Sequence, residues 1–264
     1  MIYTTKMKKN KQTKTPTGLP EFLAALAIVL VIVLLIPLIR GCSEAEAAPD
    51  PADIAETVQL EPVTAAFIET PLAFDGVTLP VEIDDGVYLT SLTSADGKFV
   101  EDGSDEDAEN VLCAVFANES DQTIEYMTAV VTVDGEEYRF AVTTLPAGST
   151  VHALESNRRT APETVRNLTA EKEYLIRFTR EISLHEDELA YSITDGTITI
   201  TNISGEDIPN DIVVYYKNMY ATTYMGGITY RVRVTGGLQA GESCNGYAPH
   251  ATVNDTKIMF TEWE

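Results

Sequence analysis

Between Phe22 and Ile39 the chain carries eighteen consecutive residues without a charge, rich in Leu, Ile, Val and Ala. At ~1.5 Å of rise per residue such a helix is roughly 27 Å long, close to the hydrocarbon thickness of a bilayer. A helix packed on a water-soluble core keeps a polar stripe, and this run has none. Pro37 sits near its outer end, where loss of one backbone hydrogen bond is tolerated. The run predicts a transmembrane helix over residues 21–40. Lys6, Lys8, Lys9, Lys11 and Lys14 precede it and only Arg40 follows closely. Lysine-rich flanks face the cytosol, so the expected topology is single-pass in the plasma membrane. Residues 1–20 form a basic cytoplasmic tail and everything beyond Arg40 is extracytoplasmic. Two other fates stay open. Ala45-Glu46-Ala47 imitates a signal-cleavage site, although the apolar run exceeds the roughly 7–15 residues usual for a cleaved signal. Ile39-Arg40-Gly41-Cys42 imitates a lipobox, with Arg40 where a small uncharged residue is usual, which makes Cys42 a candidate lipidation point.

Charge divides the chain at the same place. Residues 1–40 carry six Lys/Arg against Glu21, a balance of +5, whereas the remaining 224 carry 12 Lys/Arg against 40 Asp/Glu, a balance of −28. So acidic a region is repelled by phosphate backbones, which excludes nucleic acid as its partner, and it is a poor match for an anionic lipid surface. Solubility and resistance to self-association account for it.

Residues 41–71 are acidic, Ala-rich and interrupted by Pro, a composition that makes a solvated linker. Asp50-Pro51 is suited to start a short helix through about Val58. From Leu72 the pattern becomes short β-like runs separated by turn signals. Val87–Leu92 and Val111–Phe116 read as strands, the second apolar on both faces. Ile124–Val133 meets Asp134-Gly135, a hairpin turn, and in the strand that follows Tyr138, Phe140 and Val142 alternate with Arg139, Ala141 and Thr143. Ile228–Val234 and Thr197–Thr201 alternate likewise. A weak helix is expected around Ala161–Leu168.

A faint internal repeat organises these strands. Asn118-Glu-Ser120 corresponds to Asn202-Ile-Ser204, each closing an apolar strand. Ala147-Gly148 corresponds to Ala240-Gly241, and Leu175–Thr179 to Lys257–Thr261. The Asp134-Gly135 hairpin of the first copy matches a longer loop, Lys217–Gly227, in the second. Two diverged copies of one β-sandwich unit are expected, residues 72–183 and 184–264.

Catalytic equipment is hard to find. There is no Gly-x-Ser-x-Gly elbow, no phosphate-cradling glycine loop, and no Cys-x-x-Cys pair. His152, His185 and His250 stand apart from each other and from Cys42, Cys113 and Cys244, so no metal, cofactor or catalytic set is assigned. The acidic run Glu101–Glu109 lacks the alternating order that wraps calcium and reads as a solvated loop. Cys113 and Cys244 are a candidate disulfide between the two copies. The inserted loop is the most distinctive feature. Tyr220, Tyr224 and Met225, with Tyr247 further on, offer large contact area at low entropic cost and form a candidate partner-binding surface; the competing reading is that several of them fill the second core.

The succession of strand, Asn-x-Ser turn, strand and Gly-Ser or Gly-Glu turn resembles FxLYD-type and related immunoglobulin-like domains of surface-anchored Gram-positive bacterial proteins. Val213–Asn218 together with Gly226–Arg231 resembles bacterial membrane-anchored proteins. The resemblance implies two tandem immunoglobulin-like sandwiches and a location at the cell surface, but supplies no activity; with no catalytic site visible, a non-enzymatic protein is expected. Presentation of these units to a protein or cell-wall partner is the leading functional expectation. An accessory subunit of a membrane complex is the alternative, with Ala24-Ala25-Leu26-Ala27 allowing close helix approach. An enzyme comes last.

Overall fold

The computed structural model describes residues 67–104 and 106–264. The expected basic tail and membrane span, the candidate lipidation point Cys42, and most of the 41–71 linker with the short helix expected there lie outside the described residues. Among the described residues no helix is long and apolar enough to cross a membrane. They are mostly strands joined by turns and loops. In chain order these are β1 (Ile68–Pro71), β2 (Ala73–Phe74), β3 (Val81–Asp84), β4 (Val87–Lys98), β5 (Asp107–Asn118), β6 (Ile124–Val133), β7 (Glu136–Leu145), β8 (Ser149–Leu154), β9 (Thr164–Val165) and β10 (Thr169–Arg177). Then follow β11 (Leu189–Thr194), β12 (Thr197–Asn202), β13 (Ile212–Tyr220), β14 (Thr223–Met225), β15 (Tyr230–Val234), β16 (Ser243–Tyr247) and β17 (Thr256–Trp263).

Two copies of one arrangement are visible in the pairing. In the first, β4-β5-β8 faces β10-β6-β7; in the second, β11-β12-β16 faces a sheet in which β13 lies between β17 and β15. Each pair of sheets closes on its own core. Leu89, Leu112, Phe116, Met127, Phe140 and Leu145 fill the first, with the Phe116 and Phe140 rings edge to face at 5.5 Å. Ile198, Ile200, Ile212, Val214, Tyr216 and Val232 fill the second. The alternation read from sequence has this cause. Tyr138, Phe140 and Val142 point inward from β7 and are buried, while Arg139, Ala141 and Thr143 point outward. Asp134 (φ 50°) and Gly135 (φ 86°) make the β6–β7 turn with two positive φ values, the type I′ geometry that matches strand twist.

The repeat is written most clearly in its turns. Asn118 ends β5 fully buried, and its Nδ2 donates to the carbonyls of Gln122 and Leu145, both at 2.9 Å. Asn202 ends β12, and its Nδ2 donates to the carbonyls of Glu206 (2.7 Å) and Leu238 (3.0 Å). In both copies the side-chain oxygen accepts from the backbone and hydroxyl of the Ser two positions on, Ser120 or Ser204. The next turn is bound the same way, Gly148 N–H to the Asn118 carbonyl and Gly241 N–H to the Asn202 carbonyl.

Three expectations are corrected. Ala161–Leu168 is not a helix: Val165 is fully buried, Thr164–Val165 pairs with β2, and Asn167 at φ 46° is left-handed. The linker gives way to the first sandwich before Leu72, because β1 pairs along β4 and the Phe67 ring packs, tilted, against Phe99 at 4.7 Å. Cys113 and Cys244 are both free; they pack into different apolar clusters, one on the outer face of the first sandwich and one against the second core.

Candidate functional site

The inserted loop of the second copy does not stand free. β13 runs on to Tyr220, turns, and returns as β14, which pairs parallel to β8 of the first copy through Tyr224↔Val151 and Met225↔His152. Tyr224 enters the first core and Met225 the outer-face cluster of Phe99, Val111 and Cys113. Burying such a side chain is worth about 1.5–3 kcal/mol. The backbone continues along β7, where Thr143 N–H donates to the Gly227 carbonyl at 2.6 Å. The strap thus occupies the exposed edges of β7 and β8, which unpaired strands otherwise offer to other chains. Its two glycines are steric requirements. A Cβ on Gly226 would lie 1.9 Å from the Glu101 carbonyl oxygen, and one on Gly227 1.9 Å from that of Ala141.

This changes the standing of the candidate binding residues. Tyr224 and Met225 have their partner within the chain and are buried. Tyr220, 75 % exposed, and Tyr247, 80 % exposed, face solvent. The acidic run is also less free than expected. Glu101 Oε1 accepts from Asn218 Nδ2 (3.1 Å) and Asp102 pairs with Arg158 at 2.5 Å, while β5 already begins at Asp107.

Beneath the strap lies Lys217, 1 % exposed, on the face of β13 that points away from the second core. Its Nζ donates to the Thr143 carbonyl at 2.7 Å. Burial alone pulls this amine down from its ordinary 10.5 to about 7.

Between the strap and the outer face of the first sandwich opens a cleft of about 460 Å³, lined among others by Glu69, Lys98, Glu101, His152, Tyr220 and Asp255. Glu69 stands on β1, Cys113 on β5 and His152 on β8, strands of one sheet whose outer-face side chains converge here. A carboxylate oxygen, the Cys113 Sγ and a His152 ring nitrogen all lie within 4.8 Å of one another. Glu69 Oε1 accepts from Thr93 Oγ1 at 2.8 Å and is 3.1 Å from His152 Nδ1. Burial opposes ionisation of Glu69, but the hydrogen bonds from His152 and Thr93 outweigh it and hold the carboxyl below its ordinary range. Burial, followed by the Glu69 charge, pushes the Cys113 thiol well above its ordinary value. Such a thiol is a poor nucleophile. Sequence spacing gave no sign of this group, because its members come from strands far apart in the chain. The one available signal was the apolar outer face of β5, which announces a second layer over Cys113.

Comparison of the chain with protein-family models, with curated proteins and with solved structures returned no match.

Proposed function

We propose that the chain is a non-enzymatic, membrane-anchored extracytoplasmic protein that presents two immunoglobulin-like sandwiches to a protein or cell-wall partner. The observation that carries this reading is the uncharged run Phe22–Ile39 with five lysines before it and a strongly acidic region after it. The strap bears on where the partner sits. With Tyr224 and Met225 committed to internal packing, the contact surface is the cleft and its exposed rim at Tyr220.

Two measurements on intact cells test the reading. Added protease should digest the region beyond Arg40; protection until lysis would overturn the topology. A photo-crosslinking residue placed at position 220 should capture a partner. Capture from position 247 alone would move the surface to β16, and capture from neither would remove the presenting role. The small-residue stretch Ala24–Ala27 favours a second reading, an accessory subunit held by its span. Replacing Phe22–Ile39 with an unrelated apolar helix spares a surface binder and disables such a subunit.

A further inference from the structure

We propose that Glu69, Cys113 and His152 form a binding site for a zinc-class divalent cation, with the fourth coordination position open to the cleft. The donor set points to this class. A thiolate sulfur, an imidazole nitrogen and a carboxylate oxygen are the three ligand types of zinc sites, whereas calcium and magnesium sites are built from oxygen alone.

Geometry supports it. Bonds of ~2.0–2.3 Å in a tetrahedron set ligand atoms about 3.5 Å apart, and these three lie within 4.8 Å of one another. Closing that difference requires side-chain rotation, which Glu69 and His152 at the cleft wall have room to make. The supporting backbone is sheet, with β1, β4, β5 and β8 adjacent in that order. Thr93 on β4 already donates to Glu69 at 2.8 Å, the kind of outer hydrogen bond that orients a ligating carboxylate. Cys113 lies fully buried in the apolar cluster behind the cleft wall, while Glu69 and His152 line the cleft with side chains 28 % and 16 % exposed. With Cys113 behind and Glu69 and His152 reaching solvent, a cation held by the three would keep a coordination position on the cleft side, the open arrangement that admits an exogenous ligand. Asp255 and Glu101 outweigh Lys98 among the cleft-lining residues, a net negative charge that favours a cation. The site depends only on the described strands, whether or not the chain is held at a membrane.

The test uses the purified full-length protein in mild detergent, stripped with a chelator and titrated with cobalt(II). One equivalent should give tetrahedral visible absorption with a thiolate-to-cobalt charge-transfer band, displaced by zinc. Cys113→Ser should abolish that band. His152→Gln and Glu69→Gln should each weaken zinc competition at least about 100-fold, and Thr93→Val about 10-fold. Cys244→Ser should leave the spectrum unchanged. Cobalt bound without a thiolate band, or a band that survives Cys113→Ser or disappears in Cys244→Ser, overturns the site. If Cys113→Ser does not fold, as judged by near-UV dichroism, His152 at the cleft wall decides: unchanged zinc competition in His152→Gln is equally fatal.

Discussion

Asn118 and Asn202 hold the same position in two copies of one hydrogen-bond network, each buried and each tying a strand end to the carbonyls of two following turns. Replacing either leaves buried carbonyls without donors, at ~1–3 kcal/mol per group. Asn118→Ala and Asn202→Ala are each expected to destabilise by about 2–4 kcal/mol in denaturant unfolding. Asn→Asp should be no milder, since it retains the acceptor and loses the donors.

The exposure difference among the tyrosines separates packing from recognition. Tyr224→Ala empties part of the first core and should cost about 3–5 kcal/mol. Tyr220→Ala and Tyr247→Ala should stay within about 0.5 kcal/mol of the parent. A large loss of stability in Tyr220→Ala would contradict its solvent-facing position.

Gly227 and Gly135 are glycines for different reasons, and alanine tells them apart. At Gly227 an added methyl collides with the Ala141 carbonyl oxygen; at Gly135 it meets nothing, but φ is +86°. Gly227→Ala should cost about 1–3 kcal/mol through overpacking and open the Tyr220–Gly227 segment to limited proteolysis. Gly135→Ala should cost about 1–2 kcal/mol by conformation alone and leave the strap resistant.

Lys217 gives the fold a pH dependence of defined sign. Its amine titrates near 7 when folded and near 10.5 when unfolded. Below pH 7 both states carry the proton and the burial cost is full. Between those values the unfolded state binds more protons, so stability rises with pH. Urea unfolding from pH 7 to 9 should show this rise, and Lys217→Met should flatten it. An equal slope in the variant would rule out Lys217 as its source. Toward pH 9 Cys113, its thiol raised by burial well above its ordinary 9.0, acts in the opposite direction, and Tyr191 and Tyr216, raised by burial to about 12, join it at higher pH. The rise is therefore steepest from pH 7 to 8 and shallower toward 9.

How far the sequence could be read follows from the range of the interactions involved. Strands such as Glu136–Leu145 were legible because in-out alternation is local, and the duplication was legible because Asn118 and Asn202 need the same Ser two residues on. The role of Lys217–Gly227 was not. Gly226-Gly227 reads as a turn, and nothing nearby reveals that Glu101 and Ala141 press on it. Apolar Tyr224 and Met225 look the same whether they await a partner or fill a groove in their own chain. Glu69, Cys113 and His152 were invisible for the same reason: their proximity depends on sheet order, to which no spacing rule applies.

The β8–β14 pairing has a consequence for the order of events at synthesis. Thr150 of β8 meets Thr223, which follows it by 73 residues, so the first half leaves the ribosome with a vacant sheet margin. That margin stays unfilled until its complement is translated. A chain halted after residue 183 lacks the plug for its own socket, because Thr223–Met225 supplies it from the other half.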